Sequence, residues 1–203
     1  MAEKDLNTEQ KILEAARLVF TQKGFEGARM QEIADKAGIN KALLHYYYRS
    51  KDKLFEGVFR EAFFTMVPQV MDLLKSEMPL FEKIRFFTSN YIEIFINNPF
   101  IPGFVLHELS VNPKRIVDLL SNMGIQPALF LDQIQAEIDK GIIKPIDPRN
   151  LLTNMLAMCI FPFVARPILQ NILFTNDEQA FAQFVEDRKK AVPEFIINAI
   201  KNE

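Results

Sequence analysis

The 203-residue sequence has few of the residues on which disulfide bonds and metal sites depend. It contains one cysteine, Cys159, which excludes an internal disulfide and a zinc site built from cysteines. Its two histidines, His45 and His107, are too few for a multi-histidine metal cluster. The sequence therefore predicts a protein of a reducing compartment with neither a metal nor a cofactor.

Long apolar runs and β-strand patterns are missing as well. No apolar run reaches the ~18 residues of a transmembrane helix, and the charged N-terminus lacks the apolar core of a signal peptide. Alternating Val, Ile and Thr runs and Asn-Gly hairpin signals are also missing. Hydrophobic residues make up 49% and charged residues 25%, as in ordinary globular proteins. We therefore expect an all-α cytoplasmic protein that does not bind membranes.

Proline and charge both change in distribution near residue 60. The first of the 11 prolines is Pro68. Residues 1–60 carry 11 Lys and Arg against nine Asp and Glu, a net charge of +2, whereas the rest carries 13 against 17, a net charge of −4. This mild asymmetry permits a DNA-facing N-terminal region without establishing one.

Apolar residues recur with the 3.6-residue period of helices along most of the chain. We expect the first helix to begin at a cap, Asn7 or Thr8, and to end at Gly24. We expect Asn176 to cap the last helix. The other long helices are predicted over residues 51–75, 80–96, 103–109, 113 onward, 126–140, 148–174 and 177–201.

Two short helices lie between the first helix and residue 51. The earlier one carries Met30 and Ile33 and ends at Gly38. Asn40 is a good N-cap for the later one, which is predicted over residues 41–47. Two short helices separated by three residues have the spacing of a helix-turn-helix.

The N-terminal segment carries several ordered motifs: ILEAA, then F-x-x-K-G-F-E-G, then I-A-x-x-A-G-I, then Y-Y-Y-R-S-K-D-x-L. On these motifs, residues 11–59 resemble the DNA-binding domain of the tetracycline-repressor (TetR/AcrR) family. The resemblance implies a three-helix DNA-binding domain over residues 1–50 and a larger helical effector-binding and dimerisation domain over residues 51–203. It also implies a homodimeric regulator that binds a palindromic operator and leaves DNA when a small-molecule effector binds.

The resemblance places the DNA contacts on the short helices and their flanks. Lys41 is expected to donate to guanine, and Ala42 and Leu43 to touch thymine methyl groups. The alternative for Lys41 is a solvated surface lysine. The candidate DNA-binding residues are Arg29, Gln31, Asn40, Lys41, Ala42, Leu43, His45, Tyr46, Tyr47 and Lys51.

Three of these residues fall on family positions that hold phosphates, namely Tyr46, Tyr47 and Lys51. The alternative for the tyrosines is packing within the small domain, which is the role we expect for Tyr48. Ala28 departs from the family, which often has a threonine there that caps the second helix and contacts phosphate. Because of such departures the operator sequence cannot be inferred from the family. The mode of DNA binding is still expected to be that of the family.

Apolar and sulfur-containing side chains are concentrated after residue 60, with 15 of 19 Phe and six of eight Met. Such side chains adapt to irregular cavities and varied ligands. We expect several of them to line a pocket for an apolar or amphipathic effector; the alternative for each is ordinary core packing. The candidates are Met66, Phe87, Tyr91, Phe95, Phe104, His107, Met123, Phe130, Met155, Met158, Cys159 and Phe163.

The sequence leaves the roles of three polar residues undecided. His45 has no carboxylate or second ligand at helical spacing, so catalysis is disfavoured. His107 is either a satisfied helix histidine or a ligand contact. Arg166, in an apolar stretch, pairs either with a carboxylate across a dimer or with an anionic ligand.

The last two predicted helices are apolar enough to pair with a second copy as a four-helix bundle. The alternative is that the same faces form the core of one subunit. Two other functions are alternatives to a DNA-binding regulator: an all-α enzyme, and a helical adaptor that binds only protein. The sequence has no phosphate loop, paired-carboxylate motif or usable Cys/His arrangement. A ligand-responsive repressor therefore remains the preferred interpretation. Activation stays open, because the sign of regulation depends on operator position.

Overall fold

The computed structural model describes the backbone of residues 2–64, 66–99 and 101–202, and their side chains except those of residues 2–6, 62–64, 66 and 104. Within these residues the chain is helical, and its one β feature is an isolated antiparallel bridge between Ile143 and Lys201. The predicted all-α class is confirmed. The helices are α1 (Ala2–Gly27), α2 (Met30–Lys36), α3 (Lys41–Tyr47), α4 (Lys51–Phe64), α5 (Met66–Lys75), α6 (Leu80–Asn97), α7 (Ile101–Val111), α8 (Pro113–Asn122), α9 (Ala128–Asp139), α10 (Pro148–Val164), α11 (Arg166–Leu173) and α12 (Glu178–Ile200).

The chain folds into two compact units that are not continuous in sequence. Unit 1 consists of Met1–Thr65 and Gly103–Met123, and unit 2 of Met66–Pro102 and Gly124–Glu203. Unit 1 thus contains α4 and a later helical segment besides the three N-terminal helices. The functional division after residue 50 stays a prediction.

Aromatic rings form the centre of unit 1. The rings of Phe20 and Phe25 are 6.1 Å apart, and Phe55 of α4 meets them edge-on at 5.4 and 5.2 Å. Because α4 supplies one of these rings, its apolar face is buried against α1. The predicted apolar stripe of α1 is buried as expected: Ile12, Leu13, Ala16, Val19 and Phe20.

Unit 2 has one continuous apolar core formed by α6, α9, α10 and α12. The inward face of α12 is engaged in this core. Its sequence predicts an apolar stripe of seven residues, of which five are buried within the same subunit and Phe184 is half-buried. The buried members of that stripe are Phe181, Val185, Val192, Ile196 and Ile200. Of the two arrangements predicted from the sequence, these residues adopt the second: they form the core of one subunit and not a contact with a second copy. Phe195 differs from them, because it is exposed.

Several predicted helix ends were wrong. Helix α1 begins at Ala2 rather than at Asn7 or Thr8, because the preceding residues are good helix formers and nothing stops the helix there. The cap of α12 is Asp177, whose carboxylate accepts from the amides of Gln179 and Ala180 at 2.9 and 3.0 Å. The predicted cap, Asn176, instead adopts a left-handed φ of 63°.

The predicted helix over residues 148–174 is two helices, α10 and α11, bent by 72°. Pro162 stays inside α10, and the break falls at Ala165, before Pro167 in the first turn of α11. A proline is accommodated in a first turn because its missing N–H would be unpaired there. No single described helix is long and apolar enough to span a membrane. The bent pair α10 and α11 reaches that length and apolarity only when the two helices are taken together.

The predicted helix over residues 51–75 corresponds to α4 and α5. Its continuity depends on Thr65, which lies outside the described residues. Pro68 lies in the first turn of α5, where a proline costs little.

Candidate nucleic-acid interface

The turn between α2 and α3 is fixed by backbone hydrogen bonds. Gly38 adopts a φ of +68°, a left-handed conformation that favours glycine. The amide of Ile39 donates to the carbonyl of Ala34 at 3.0 Å, and the amide of Gly38 to that of Asp35 at 3.2 Å. This is the Schellman pattern, which satisfies carbonyls left free at the end of a helix. The end of α2 is therefore determined by local sequence, as predicted.

Helix α3 starts directly after this turn because Asn40 caps it. The Asn40 side chain accepts from the amide of Leu43 at 2.8 Å, and its backbone is extended. Leu44 is fully buried, as are Ile33 and Ala34 of α2, so apolar packing fixes the rotation of α3 about its axis. Both the cap and the bounds of α3 were predicted.

The face of α3 opposite Leu44 is exposed. It presents the side chains of Lys41, Ala42, Leu43, His45 and Tyr46. Tyr46 is 80% exposed, so a large aromatic side chain projects from the end of the helix without a packing role. A short helix that is anchored from one side and presents hydrogen-bond donors and apolar groups on the other has the form of a recognition helix.

The three consecutive tyrosines have different environments. Tyr47 is half-buried, and its ring meets that of Tyr46 edge-on at 5.6 Å. Tyr48 is also half-buried, and its hydroxyl donates to Glu9 at 2.9 Å. Burial and the neighbouring carboxylate raise the pKa of Tyr48. Tyr48 therefore packs within unit 1, as expected, and Tyr46 is the tyrosine most available to a partner.

Two candidates lie on α2 and are exposed. Arg29 occupies the N-cap position of α2 without a side-chain capping bond. Gln31 donates to Asp35 at 2.7 Å, one turn along the same helix. Ala28 is buried and supplies no cap, which agrees with its lack of a hydroxyl.

Lys51 has structural contacts that its sequence position did not reveal. Its ammonium donates to the carbonyl oxygens of Phe25 at 2.8 Å, Ala28 at 3.2 Å and Glu26 at 3.4 Å. The ammonium also lies 4.4 Å from the centre of the Phe25 ring. Lys51 therefore ties the end of α1 to the start of α4, and its contact with a phosphate stays a prediction.

Residues far along the chain complete unit 1 and were missed from the sequence. Glu108 of α7 is buried and accepts from the amide of Phe25 at 3.0 Å. The guanidinium of Arg115 lies 3.3 Å from the Phe25 ring centre and 3.5 Å from Asp52. Neither contact has a local sequence signal, because Phe25 and Glu108 are 83 residues apart.

Unit 2 contains a small, partly open cavity of about 10 Å³, the space of about one water molecule. Two ligand candidates line it: Phe87 and Tyr91, whose rings stack at 5.3 Å. Tyr91 contacts Phe95 at 4.5 Å, and Phe95 contacts Phe163 at 5.3 Å. We call these four rings, Phe87, Tyr91, Phe95 and Phe163, the aromatic cluster. The full lining is Gln69, Val70, Leu73, Phe86, Phe87, Asn90, Tyr91 and Ile94.

The other ligand candidates are divided between the units. Phe130, Met155, Met158 and Cys159 belong to the core of unit 2, and Phe87, Tyr91 and Phe163 of the aromatic cluster pack in the same core. Three candidates fall in unit 1 instead: Phe104, His107 and Met123. They were grouped with the others because they follow residue 60, but their helices fold with the N-terminal unit. The side chains of Met66 and Phe104 lie outside the described residues.

His107 and Arg166 have plain structural neighbours. A Cβ atom at Gly24 would lie 1.8 Å from the His107 ring, so the two residues are closely packed. Arg166 donates to Gln170 at 3.0 Å, and its guanidinium lies 5.4 Å from the Phe181 ring centre. These contacts leave the predicted alternatives for Arg166 untested.

The N-terminal helices and most of the whole chain match known proteins. A family model described as bacterial regulatory proteins of the tetR family matches residues 12–58, which run from α1 to α4. The HTH-type transcriptional repressor NicS of Pseudomonas putida is 32% identical over 192 residues, covering 88% of this chain and 87% of NicS. The chain belongs to the TetR family. As a TetR-family member it is a ligand-responsive, DNA-binding transcriptional regulator.

Two solved structures share the fold of this TetR-family chain. HlyIIR, a hemolysin II transcriptional regulator, is 20% identical with a TM-score of 0.66, covering 97% of this chain and 98% of HlyIIR. AibR, solved in complex with isovaleryl coenzyme A and operator DNA, is 19% identical with a TM-score of 0.62, covering 77% and 85%. At such identities the likeness shows the fold.

Cysteine and the acidic side chains do not form a metal site in the described part of this TetR-family chain. Among these residues, no three His, Cys, Asp or Glu side chains come together as a metal-binding group. The buried thiol of Cys159 has its pKa raised to about 12, chiefly by burial. It is therefore protonated at neutral pH and is a weak nucleophile in this conformation.

Proposed function

We propose that this TetR-family regulator is a cytoplasmic repressor that binds a palindromic operator as a homodimer and is released by an apolar or amphipathic effector. The observation that carries the proposal is the geometry of α3, which is anchored by Leu44 and Asn40 and exposes its opposite face. In this interpretation Lys41, Leu43 and His45 contact base edges in the major groove. Tyr46 and Tyr47 contact phosphates and fix the register.

The exposed apolar side chains of unit 2 support a dimer. Phe161 of α10 and Ile168, Ile172 and Leu173 of α11 are 58–72% exposed, and Phe195 of α12 is 64% exposed. Apolar residues of this size on consecutive helices favour an interface with a second copy. We therefore assign the homodimer to the outer faces of these helices, while the inner face of α12 serves the subunit core.

The aromatic cluster and the adjoining methionines support the effector site. The cavity has space for about one water molecule, so we infer that an effector binds after lining side chains such as Phe87 and Tyr91 move. Methionine and stacked aromatic side chains accommodate such changes. AibR was solved with a coenzyme A thioester and operator DNA together, and we infer by analogy that this chain too has a small-molecule effector.

An activator, an enzyme and a protein-binding adaptor are the competing functions. Chromatin immunoprecipitation of the tagged protein, combined with transcript levels in a deletion strain, separates them. A repressor enriches specific promoters, and their transcripts rise on deletion. A fall in those transcripts would make the protein an activator, and the absence of enriched promoters would contradict DNA binding.

A matched pair of variants links this result to α3. Lys41→Ala removes the proposed base contact, whereas Lys190→Ala removes an exposed lysine on α12. We expect Lys41→Ala to reduce promoter enrichment about 10-fold or more, since a good base contact contributes ~1–3 kcal/mol. Lys190→Ala is expected to leave enrichment unchanged.

A further inference from the structure

A proline in α10 creates an unpaired carbonyl in the interior of unit 2. Pro162 has no N–H, so the carbonyl of Met158, four residues earlier, has no helical donor. Arg188 of α12 supplies the missing bond, because its Nη2 donates to that carbonyl at 2.6 Å. This bond explains why a donor is needed at position 188 but not why the donor is charged, since a neutral amide would serve.

The rest of the Arg188 guanidinium is left without a counter-charge. Its Nε is buried and has no hydrogen-bond partner among the described residues. Phe184 lies 5.4 Å from the guanidinium carbon, and burial lowers the pKa of Arg188. A buried charge without a partner is costly, so its retention calls for a reason.

Three other cations among the described residues have compensating groups. Arg17 pairs with Glu61 at 2.9 Å, and Arg85 pairs with Glu194 at 2.7 Å. Lys83 is buried without a carboxylate, but it donates to Leu74 near the end of α5, where helix carbonyls are free. Among the described ion pairs none involves Arg188, so it differs from these cations as a half-buried guanidinium whose Nε is buried without a partner.

Arg188 is connected to the aromatic cluster through α10. The residue after Met158 is Cys159, whose thiol lies 4.0 Å from the carbonyl oxygen of Thr88 on α6. Thr88 follows Phe87 in the chain, and Met158, Cys159, Phe87 and Tyr91 all belong to the same core of unit 2. Because the thiol is protonated at neutral pH, it does not neutralise the arginine. The interior of unit 2 therefore has an apolar aromatic region and a cationic group close to its edge.

We propose that Arg188 binds the anionic head of an amphipathic effector, a carboxylate whose apolar body packs in the aromatic cluster. The inference rests on the proposed function in one respect, that an effector enters this region. The Nε and the remaining guanidinium protons donate to the carboxylate, while the Met158 bond holds the side chain in place. Arg188 is then the residue that selects acids over neutral molecules of the same shape.

The test compares an acid with its neutral counterpart in the absence of DNA. Isothermal titration calorimetry of the full-length protein uses octanoate and 1-octanol as probes. We expect octanoate to bind at least about 10-fold more tightly than octanol, and Arg188→Gln to weaken octanoate binding about 10- to 100-fold. Arg188→Gln keeps an amide donor for Met158, and its melting temperature checks that the variant folds.

Two further variants sharpen the result. Arg188→Lys restores the charge and is expected to recover part of the octanoate affinity. Lys190→Gln removes an exposed cation two residues from Arg188 on the same helix and is expected to leave octanoate binding unchanged.

Three outcomes would overturn the proposal. Octanoate could fail to bind or bind no better than octanol, or Arg188→Gln could bind octanoate as the wild type does. A third is that Arg188→Gln dissociates the dimer in light scattering without ligand, which would assign the guanidinium to a carboxylate of the second copy. None of these depends on DNA binding, so a failure here is distinct from a failure of the repressor function.

Discussion

At the scale of single residues, two glycines with left-handed φ shape unit 1 in different ways. Gly38 has a φ of +68°, and a Cβ atom there would meet nothing within 4 Å. Gly24 combines a φ of 67° with a ψ of −179°, a region that is nearly restricted to glycine. A Cβ atom at Gly24 would also meet the His107 ring. The first position therefore has backbone strain alone, and the second has strain plus a steric clash.

This difference predicts a ranking of alanine substitutions. Gly38→Ala is expected to lower the free energy of unfolding by about 1–2 kcal/mol, the cost of a left-handed alanine. Gly24→Ala is expected to cost more. Gly103→Ala, in helix α7 with open space around it, is the control and is expected to be neutral or slightly stabilising. Urea unfolding measures all three, and equal losses for Gly24 and Gly38 would contradict the clash.

Lys51 provides a second test at this scale, because it has an observed structural role and a predicted DNA role. Removing its three carbonyl contacts by Lys51→Gln is expected to reduce stability by about 1–3 kcal/mol. If Lys51 also contacts a phosphate, the log–log salt dependence of DNA binding becomes shallower by about one. Reduced stability with an unchanged salt slope would leave only the structural role.

At the scale of helices, ion pairs join α6 to α12 across the surface of unit 2. Lys189 pairs with Glu93, and Arg85 pairs with Glu194. Hydrogen bonds from these cations lower the pKa of both carboxyl groups relative to their ordinary value of 4.5. The folded state therefore binds fewer protons than the unfolded state in acid, and stability decreases as the pH falls from about 5 through the lowered pKa values.

The two ion pairs therefore predict a loss of thermal stability in acid. Removing one of the pairs by substitution is expected to reduce that loss. The melting temperature of the wild type is expected to fall between pH 5 and pH 3. Glu194→Gln is expected to lose less over the same range, because it has no proton to take up at this position. Arg85→Gln removes the main cause of the lowered Glu194 pKa. Folded and unfolded states then take up the Glu194 proton at more similar pH, so this variant is also expected to lose less. A fall as steep as that of the wild type in both variants would contradict the assignment.

The helices also show where sequence reasoning succeeds. The bounds of α3 were predicted because its determinants are local: Gly38 ends α2 and Asn40 caps α3. The cap of α12 was misplaced by one residue, since Asn176 and Asp177 are both good caps and only the backbone conformation distinguishes them. The bond between Phe25 and Glu108 was not predictable, because helical periodicity shows which face is apolar but not which distant helix covers it. The same limit hid the role of Arg188 toward Met158.

At the scale of the whole molecule, the proposed dimer depends on the exposed apolar side chains of α10 and α11. Ile172 is 72% exposed, so an aspartate there leaves the subunit core intact. We expect Ile172→Asp to halve the mass measured by light scattering at micromolar concentration and to weaken operator binding. Ile142→Asp, at an exposed position in a loop of unit 2, is the control. A monomeric wild type, or an unaffected Ile172→Asp, would contradict this interface.

Ligand response is a second property of the whole molecule. Phe87 lines the cavity without being fully buried. Phe87→Ala is therefore expected to change the effector concentration needed for operator release while leaving effector-free operator affinity nearly unchanged. Operator affinity with and without effector, together with the melting temperature, distinguishes this from general destabilisation. Parallel loss of melting temperature and DNA binding, with unchanged effector sensitivity, would contradict it.

The central claim is that two copies of α3 read a palindromic operator. In vitro selection from a random duplex DNA library tests it most directly, with the wild type and His45→Ala selected in parallel. The wild type is expected to enrich a palindrome with half-sites about one helical turn, or a multiple of it, apart. His45→Ala is expected to enrich the same palindrome with relaxed preference at one symmetric pair of positions. No enriched sequence, or an enriched sequence without two-fold symmetry, would contradict operator reading by two copies of α3.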